Sequence, residues 1–441
     1  MRQSVTIKKG LDLKLQGAPA AGEPVRSVTP RVVAIIPDDF PGLAPKPEVK
    51  AGDIVKAGTP LLRDKADEAV KLVSPVAGRV REIVRGARRH IERVEIEVEG
   101  SESLTYPRPA NAQQLRSLLK ESGLWAMMRQ RPYDIIPQAD AVPRDIFVTA
   151  FDSAPLALPG LPERSGRMLA EGVKALASLT TGHVYVAVPA GSSLTIEGAV
   201  MVDVKGPHPA GTAGPVISAL APVCKGETVW TLTADTLERI GQLLTEGRYS
   251  FEHRVAVTGP EVLTPCTVTA LPGTPMQDIL RDNVRDTTRR LRVISGNVLT
   301  GINAGLDGWL HWPYSQVTVI LDGSDADEFM GWASLSPSKM SLSRTFASWL
   351  MPRKRFAPDA RLLGGRRAMI MSGIYESLIP MDIMPEFLIK AILSRNIEEM
   401  EALGIYEVAP EDFALAEWAD PSKLELQKIV REGLDYLRKE L

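Results

Sequence analysis

From Ile91 to Gly100 the chain reads Ile-Glu-Arg-Val-Glu-Ile-Glu-Val-Glu-Gly, and Val94, Ile96 and Val98 alternate with Glu95, Glu97 and Glu99. Successive side chains of a strand point to opposite faces, so this stretch fits a strand with one apolar and one carboxylate face; on a helix the two sets would mix around the circumference. The same period of two governs residues 31–100. Val49, Ile54 and Val55 flank the Gly52-Asp53 turn, Lys56 to Pro60 turn into Leu61-Leu62, and Ser74-Pro75-Val76-Ala77-Gly78-Arg79-Val80 repeats the turn-strand rhythm. An N-terminal β unit is expected over residues 1–105, with Arg85, Arg88, Arg89 and Arg93 on its solvated edge.

After Ala112 the period lengthens. Leu115, Leu118, Leu119, Leu124 and Trp125 recur at helical spacing up to Met128, and Arg131-Pro132 is expected to end that helix. Short apolar strands at 145–150, 184–188 and 200–204 then interleave with helical stretches at 163–179 and 235–244, the second stopped by Gly247. This alternation predicts a Rossmann-like α/β domain with a parallel or mixed sheet over 106–253. Its nucleotide chemistry is not expected, because a backbone approaches a pyrophosphate through closely spaced glycines, and the chain holds no Gly-x-Gly pair and no Walker A loop. The turn Gly206-Pro207-His208-Pro209-Ala210-Gly211 follows a strand directly, where open α/β sheets place ligands; His208 is either a ligand contact or a structural hydrogen-bonding residue. A strand at 254–258, a turn at 271–275, a helix over 276–284 and a strand-like run at 292–301 resemble a β-grasp module, bounded at 254–330, with a further strand at 317–321. Residues 331–441 form a C-terminal region with helices at 385–395 and 421–441.

A chain of 441 residues is too long for one core, and length alone suggests about three domains, where the patterns along the chain mark four units. A formal net charge of -2 gives no reason to expect nucleic acid. No run approaches the ~18 apolar residues of a membrane helix; the longest weakly polar stretch, Thr212 to Cys224, contains Gly214, Pro215 and Pro222. The N-terminus lacks an apolar signal core, so a cytoplasmic chain is expected. Cys224 and Cys266 form no CxxC pair and are expected as buried small hydrophobes, not as a disulfide or zinc ligands. No GxSxG elbow, HExxH helix or Cys-His pair is present, and no catalytic, cofactor-binding or metal residue is expected.

The most distinctive wording begins at Gly365: GRRAMIMSGIYESLIPMDIMPEFLIKAI, with Gly373, Tyr375, Glu376, Pro380, Asp382, Ile383 and Pro385. It resembles the C-terminal signature of the A-subunit family of the sodium-translocating NADH:quinone reductase. Lys9-Gly10-Leu11-Asp12, Arg129 to Tyr133, Gly206 to Gly211, Arg292 to Gly301, Gly331-Trp332 and Arg344-Thr345 resemble further family phrases, so the likeness spans essentially the whole chain. It implies an unmodified biotinyl/lipoyl carrier-like N-terminal domain and an SLBB-like β-grasp module. It further implies a peripheral subunit on the cytoplasmic face of the bacterial inner membrane, docked on the membrane B-subunit. The assembly would oxidise NADH, pass electrons through flavins and iron-sulfur centres on other subunits, reduce ubiquinone or menaquinone, and export sodium.

Under that resemblance Arg129, Arg131, Tyr133 and His208 are quinone-proximal candidates, although Arg129 to Tyr133 equally suit the capping of a helix and the cover of a core. Arg344, Tyr375, Glu376 and Asp382 are docking or structural candidates, with Glu376 and Asp382 expected as helix caps. The chain is expected to bind no cofactor. Similar subunits of the Rnf complex and of complex I hold cysteine-ligated clusters near their C-terminal ends, whereas here no cysteine follows Cys266, and Ala416 and Asp420 stand at what look like cysteine places. Two alternatives are a flavin and iron-sulfur subunit of the Rnf or complex I type, and a lipoyl-type carrier. Asp64-Lys65-Ala66 resembles a lipoyl site, but ten positions separate Lys65 from Pro75 and Asp67-Glu68-Ala69 lengthens the hairpin.

Overall fold

The computed structural model describes residues 2–20, 25–158, 164–324, 336–342 and 344–440. The alternating segment becomes the strand Ile91–Val98, paired antiparallel with Val32–Ile35 on one side and Gly78–Arg85 on the other. This four-stranded sheet, completed by Ile54–Val55, is accompanied by a three-stranded sheet of Pro45–Pro47, Pro60–Asp64 and Lys71–Val73. Their core holds Val33, Leu61, Leu62, Leu72, Val80, Val94 and Ile96. Glu95 is buried despite its place in the carboxylate series, because Arg93 at 2.8 Å and Arg81 at 3.7 Å compensate its charge. Lys65 opens the loop between two strands, but that loop is pinned: Asp67 pairs with Lys120 of the neighbouring helix at 2.8 Å.

The third sheet has the order Arg2–Thr6, Val200–Lys205, Val184–Pro189, Asp145–Thr149, Val229–Thr233, Arg129–Arg131, parallel throughout except for the last pairing. The strand Arg2–Thr6 is thus hydrogen-bonded into the α/β sheet, although sequence order puts it before the carrier-like unit. Period-two alternation of wholly apolar strands buries both faces. Ile146, Val148, Val184, Val186 and Trp230 meet the helices Gly166–Ala177 and Ala234–Glu246, while Phe147, Tyr185, Val202 and Val204 meet Ala213–Leu220. Gly172 and Gly241 let the first two helices touch backbone to backbone: an added Cβ would lie 2.5 Å from the Leu237 carbonyl oxygen and 1.8 Å from that of Met168.

The helix expected to run to Met128 stops at Glu121, because Gly123 takes φ 83°, and a 3-10 turn at Trp125–Met127 leads into the edge strand Arg129–Arg131. Arg129 to Tyr133 therefore cap no helix. Likewise Met276–Ile279 is one turn rather than a helix to residue 284. That turn packs against a fourth, mixed sheet of Ile302–Asn303, Leu291–Ser295, Gln316–Leu321, His253–Thr258, Cys266–Ala270 and Arg26–Ser27. The C-terminal unit packs Pro385–Leu393 against Leu426–Glu440 around Tyr375, Leu388, Ile389, Phe413 and Leu434.

Neither cysteine is a buried hydrophobe: Cys224 is exposed and Cys266 partly so. In the turn that carries Cys224 the inward position is taken by Val223. Gly331-Trp332 lies outside the described residues. The chain is mixed α/β, with ten α-helices among the described residues and none long and apolar enough to cross a membrane.

Candidate functional site

Sheet order reverses between Asp145–Thr149 and Val229–Thr233, and the turn 206–211 stands at the same carboxyl edge. His208 is 4% exposed there. Its Nδ1 is 3.0 Å from Ser153 Oγ, and that hydroxyl also accepts from the Gly211 amide at 2.8 Å. The His208 amide donates to Asp12 Oδ1 at 2.8 Å, and its carbonyl accepts from the Leu11 amide at 2.9 Å. Burial depresses the imidazole to a pKa of about 4, against a smaller upward pull from Asp12, so the ring is neutral at pH 7. Gly10 makes the approach possible: at φ 126° it sits so close that an added Cβ would be 2.2 Å from the His208 carbonyl oxygen.

Gly10 also donates its amide to the Ser377 carbonyl at 3.2 Å, within the helix Ile374–Leu378 of the tail signature. Leu11, Leu13, Leu299, Leu378 and Leu415 close one apolar cluster beneath this point, and Gln427 Nε2 donates to the Leu299 carbonyl at 3.0 Å. Four separately recognised phrases, at 9–12, 206–211, 292–301 and 373–385, are thereby drawn to a single junction.

Arg131 supplies the second half of the junction. Its side chain is 1% exposed, and it donates to Asp412 Oδ2 at 2.9 Å, Glu411 Oε1 at 3.3 Å and the Glu407 carbonyl at 2.7 Å. Burial works against the charge, but the carboxylates of Asp412, Glu411 and Asp134 outweigh it and keep the guanidinium ionised. Desolvation and the adjacent Asp412 carboxylate raise the Glu411 carboxyl above its ordinary value, against the pull of Arg131. Asp412 in turn abuts Gly214, where a Cβ would lie 2.2 Å from Oδ1, in the first turn of the helix that follows the His208 turn. Arg131 and His208 therefore brace the two ends of one loop-helix corner without touching each other.

The other candidates separate. Arg129 donates to the Asp39 carbonyl at 2.7 Å, and the Asp39 carboxylate holds the Trp312 amide and His311 Nδ1, joining the N-terminal β unit to that of the fourth sheet. Tyr133, at φ 81°, packs against the C-terminal cluster, and its carbonyl accepts from Arg431. A cleft of about 290 Å³ between the helices Gly166–Ala177 and Ala234–Glu246 is lined by Asp235, Glu238, Arg239, Gln242, Glu246 and Glu252 among others, and by none of the four quinone candidates.

In the tail, Tyr375 is buried; burial first and then Asp420 push its hydroxyl up. Glu376 and Asp382 do not cap helices. The helices there start at Gly373 and Met384 without side-chain caps, and the amides of Ser372 and Gly373 are bound by Glu386 Oε1 at 3.0 and 2.7 Å. Asp382 is exposed, with only its amide near Ser218 Oγ at 3.4 Å. Glu386 and Asp412 are the residues that sequence reading missed. The pattern Pro385-Glu386 at a helix start was the available signal for the first, since a carboxylate in the first turn suits free amides. Arg344 is exposed and stacks over the Trp349 ring at 5.7 Å.

Comparison with known proteins yields three family matches: the NqrA N-terminal barrel-sandwich hybrid domain over residues 5–99, the NqrA second alpha/beta domain over 110–249, and the NQRA C-terminal domain over 254–305. The chain is 34% identical over 453 residues to the A-subunit of the Na(+)-translocating NADH-quinone reductase of Pasteurella multocida, with 99% of this chain and 100% of the relative covered. It is 36% identical over 454 residues to the protein of the same name from Saccharophagus degradans, again with 99% and 100% coverage. The corresponding figures for Neisseria meningitidis serogroup B are 34% over 453 residues, 99% and 100%.

Proposed function

The chain belongs to the A-subunit family of the Na(+)-translocating NADH-quinone reductase, and from that membership we propose that it is a peripheral subunit carrying no redox centre of its own, which braces the membrane B-subunit from the cytoplasmic side and walls part of the quinone site. The observation that carries the reading is the end-to-end match to full-length relatives of that name. The assembly would couple NADH oxidation and quinone reduction to sodium export. A role without flavin or cluster is supported by the missing Gly-x-Gly pair and by the lack of any cysteine after Cys266.

Within this reading Arg131 and His208 shape the quinone site as wall-formers. The Arg131 guanidinium is paired with Asp412 and Glu411, and Ser153 and Asp12 hold the His208 ring Nδ1 and backbone amide, which supports a role in fixing the corner at 206–214. Docking on the B-subunit is assigned to the tail. Ser372 and Gly373 tie the segment 370–373 to Glu386, which sets exposed Ile370 and Met371 beside exposed Met384 and Phe387. Asp382 and Lys390 give that apolar surface a rim of mixed charge, which suits a protein partner. Co-purification of tagged chain with the membrane subunits tests assembly; a chain that never associates with them sinks the proposal. Photo-crosslinking of a quinone analogue to the assembled complex tests the wall, with labelled peptides expected near 206–214 and 129–133.

A further inference from the structure

Ten of the fifteen large hydrophobic side chains exposed among the described residues lie between Leu342 and Leu393. Three of them are consecutive. Trp349 is 53% exposed, Leu350 63% and Met351 38%, and all three stand on the short 3-10 turn Ala347–Leu350 and its exit. The turn is held on a fixed frame. Phe346 before it and Phe356 after it are buried, the Phe356 amide donates to the Lys14 carbonyl at 2.8 Å, and the Gln16 amide donates back to the Phe356 carbonyl at 2.9 Å. Lys14 Nζ and Gln16 Nε2 bind the carbonyls of Pro352 and Arg355 at 2.6 and 3.0 Å. The chain thus buries two phenylalanines of this loop while holding a tryptophan, a leucine and a methionine in water, at a cost that a covering surface would reverse.

Charge says what covers it. Around the apolar tip stand Arg344, Arg353, Lys354 and Arg355, and from Ser336 to Pro358 the sequence holds no aspartate or glutamate, in a chain whose net charge is -2. Arg344 lies over Trp349, Lys354 Nζ donates to the Pro337 carbonyl at 2.8 Å, and Arg355 donates to the Leu15 carbonyl at 3.4 Å; these contacts orient the cations and, among the described residues, leave their charge uncompensated. An indole and aliphatic tip with a collar of one sign is the pattern of a segment seated in the headgroup layer of an anionic bilayer, where the ring sits at the interface and the cations meet lipid phosphates. The Met384-Phe387 surface differs, because its rim carries both signs.

We infer that the loop 344–355 is a bilayer contact, inserting Trp349 and Leu350 among the headgroups of anionic phospholipid while Arg344, Arg353, Lys354 and Arg355 bind their phosphates. The inference rests on the membrane-peripheral reading above, which supplies the nearby bilayer. The test is flotation of the full chain with vesicles of phosphatidylcholine alone and of phosphatidylcholine with phosphatidylglycerol at 7:3, in low and high salt. Binding is expected only to the anionic vesicles and is expected to weaken with salt. Arg353→Gln, at an exposed site with no structural bond to lose, should weaken it about fivefold, the worth of one cation near such a surface. A W349S/L350S double substitution should weaken it about tenfold or more.

No flotation with anionic vesicles, or flotation indifferent to both variants, overturns the inference. So does a chain that ignores vesicles but loses its detergent-solubilised membrane subunits on R353Q, since the loop would then meet an acidic protein. Failure of the two readings can be told apart. A chain that co-purifies with the membrane subunits but never floats overturns the bilayer contact alone, whereas one that floats but never assembles overturns the subunit role and supports the contact.

Discussion

A histidine held neutral inside the 206–211 turn makes stability fall with acid. His208 has a folded pKa of about 4 against an ordinary 6.5, and desolvation is the main cause. The unfolded chain therefore binds more protons between those values, so the contribution is intact above pH 6.5 and is lost as pH falls toward 4. The full difference corresponds to roughly 3 kcal/mol at 1.36 kcal/mol per unit, and about 2 kcal/mol of it is lost between pH 7.5 and 5. Since other groups titrate in the same range, the measurement is a difference. Urea unfolding of the wild-type chain and of His208→Gln is followed by the fluorescence of the α/β unit, where Trp125 and Trp230 lie edge to face 5.0 Å apart. Glutamine will shift stability by some constant amount, but the gap between the two proteins should move by about 2 kcal/mol in the variant's favour from pH 7.5 to pH 5. A gap that stays level with pH, or moves the other way, would refute the buried neutral ring and with it the assignment of His208 as a wall-former.

Three further outcomes follow from the same junction. Arg131→Met leaves Asp412 and its neighbour Glu411 without their cation and should destabilise the chain by roughly 3–5 kcal/mol in urea unfolding, with partial recovery in R131M/D412N; an unchanged midpoint would contradict the burial of the pair. Gly10→Ala places a methyl against the His208 carbonyl at positive φ, and a loss of about 1–3 kcal/mol is expected, with altered hydrogen exchange at 206–211. Glu386→Ala removes the acceptor of the Ser372 and Gly373 amides and of the Ser372 hydroxyl; a loss of about 1.5–3 kcal/mol should appear as faster exchange across 370–393.

Much of this molecule was legible in one dimension. The period of two in 31–100 and the apolar strands between 145 and 204 specify their elements because their faces are set by residues two apart, whatever lies beyond them, whereas the strand Val229–Thr233 emerged only in the structure. Gly247 ends its helix in the left-handed conformation as its place after the apolar stripe implies. Local reading failed where a single glycine outweighed a helical pattern, at Gly123, and where an inward position had two claimants, at Val223 and Cys224.

The roles of the motif residues were of another kind. Nothing within reach of Arg131 along the chain reveals that its guanidinium will be closed off by Asp412, 281 positions away, or that Gly10 will lie against His208 and Ser377 at once. By itself the sequence determined the element types, the family and the want of a pyrophosphate loop, since each depends on spacing between near neighbours. Only the tertiary structure decided whether a charged group faces a ligand, a partner or a buried counter-ion. That choice is set by desolvation and by long-range carboxylates, which exist only once the chain has packed.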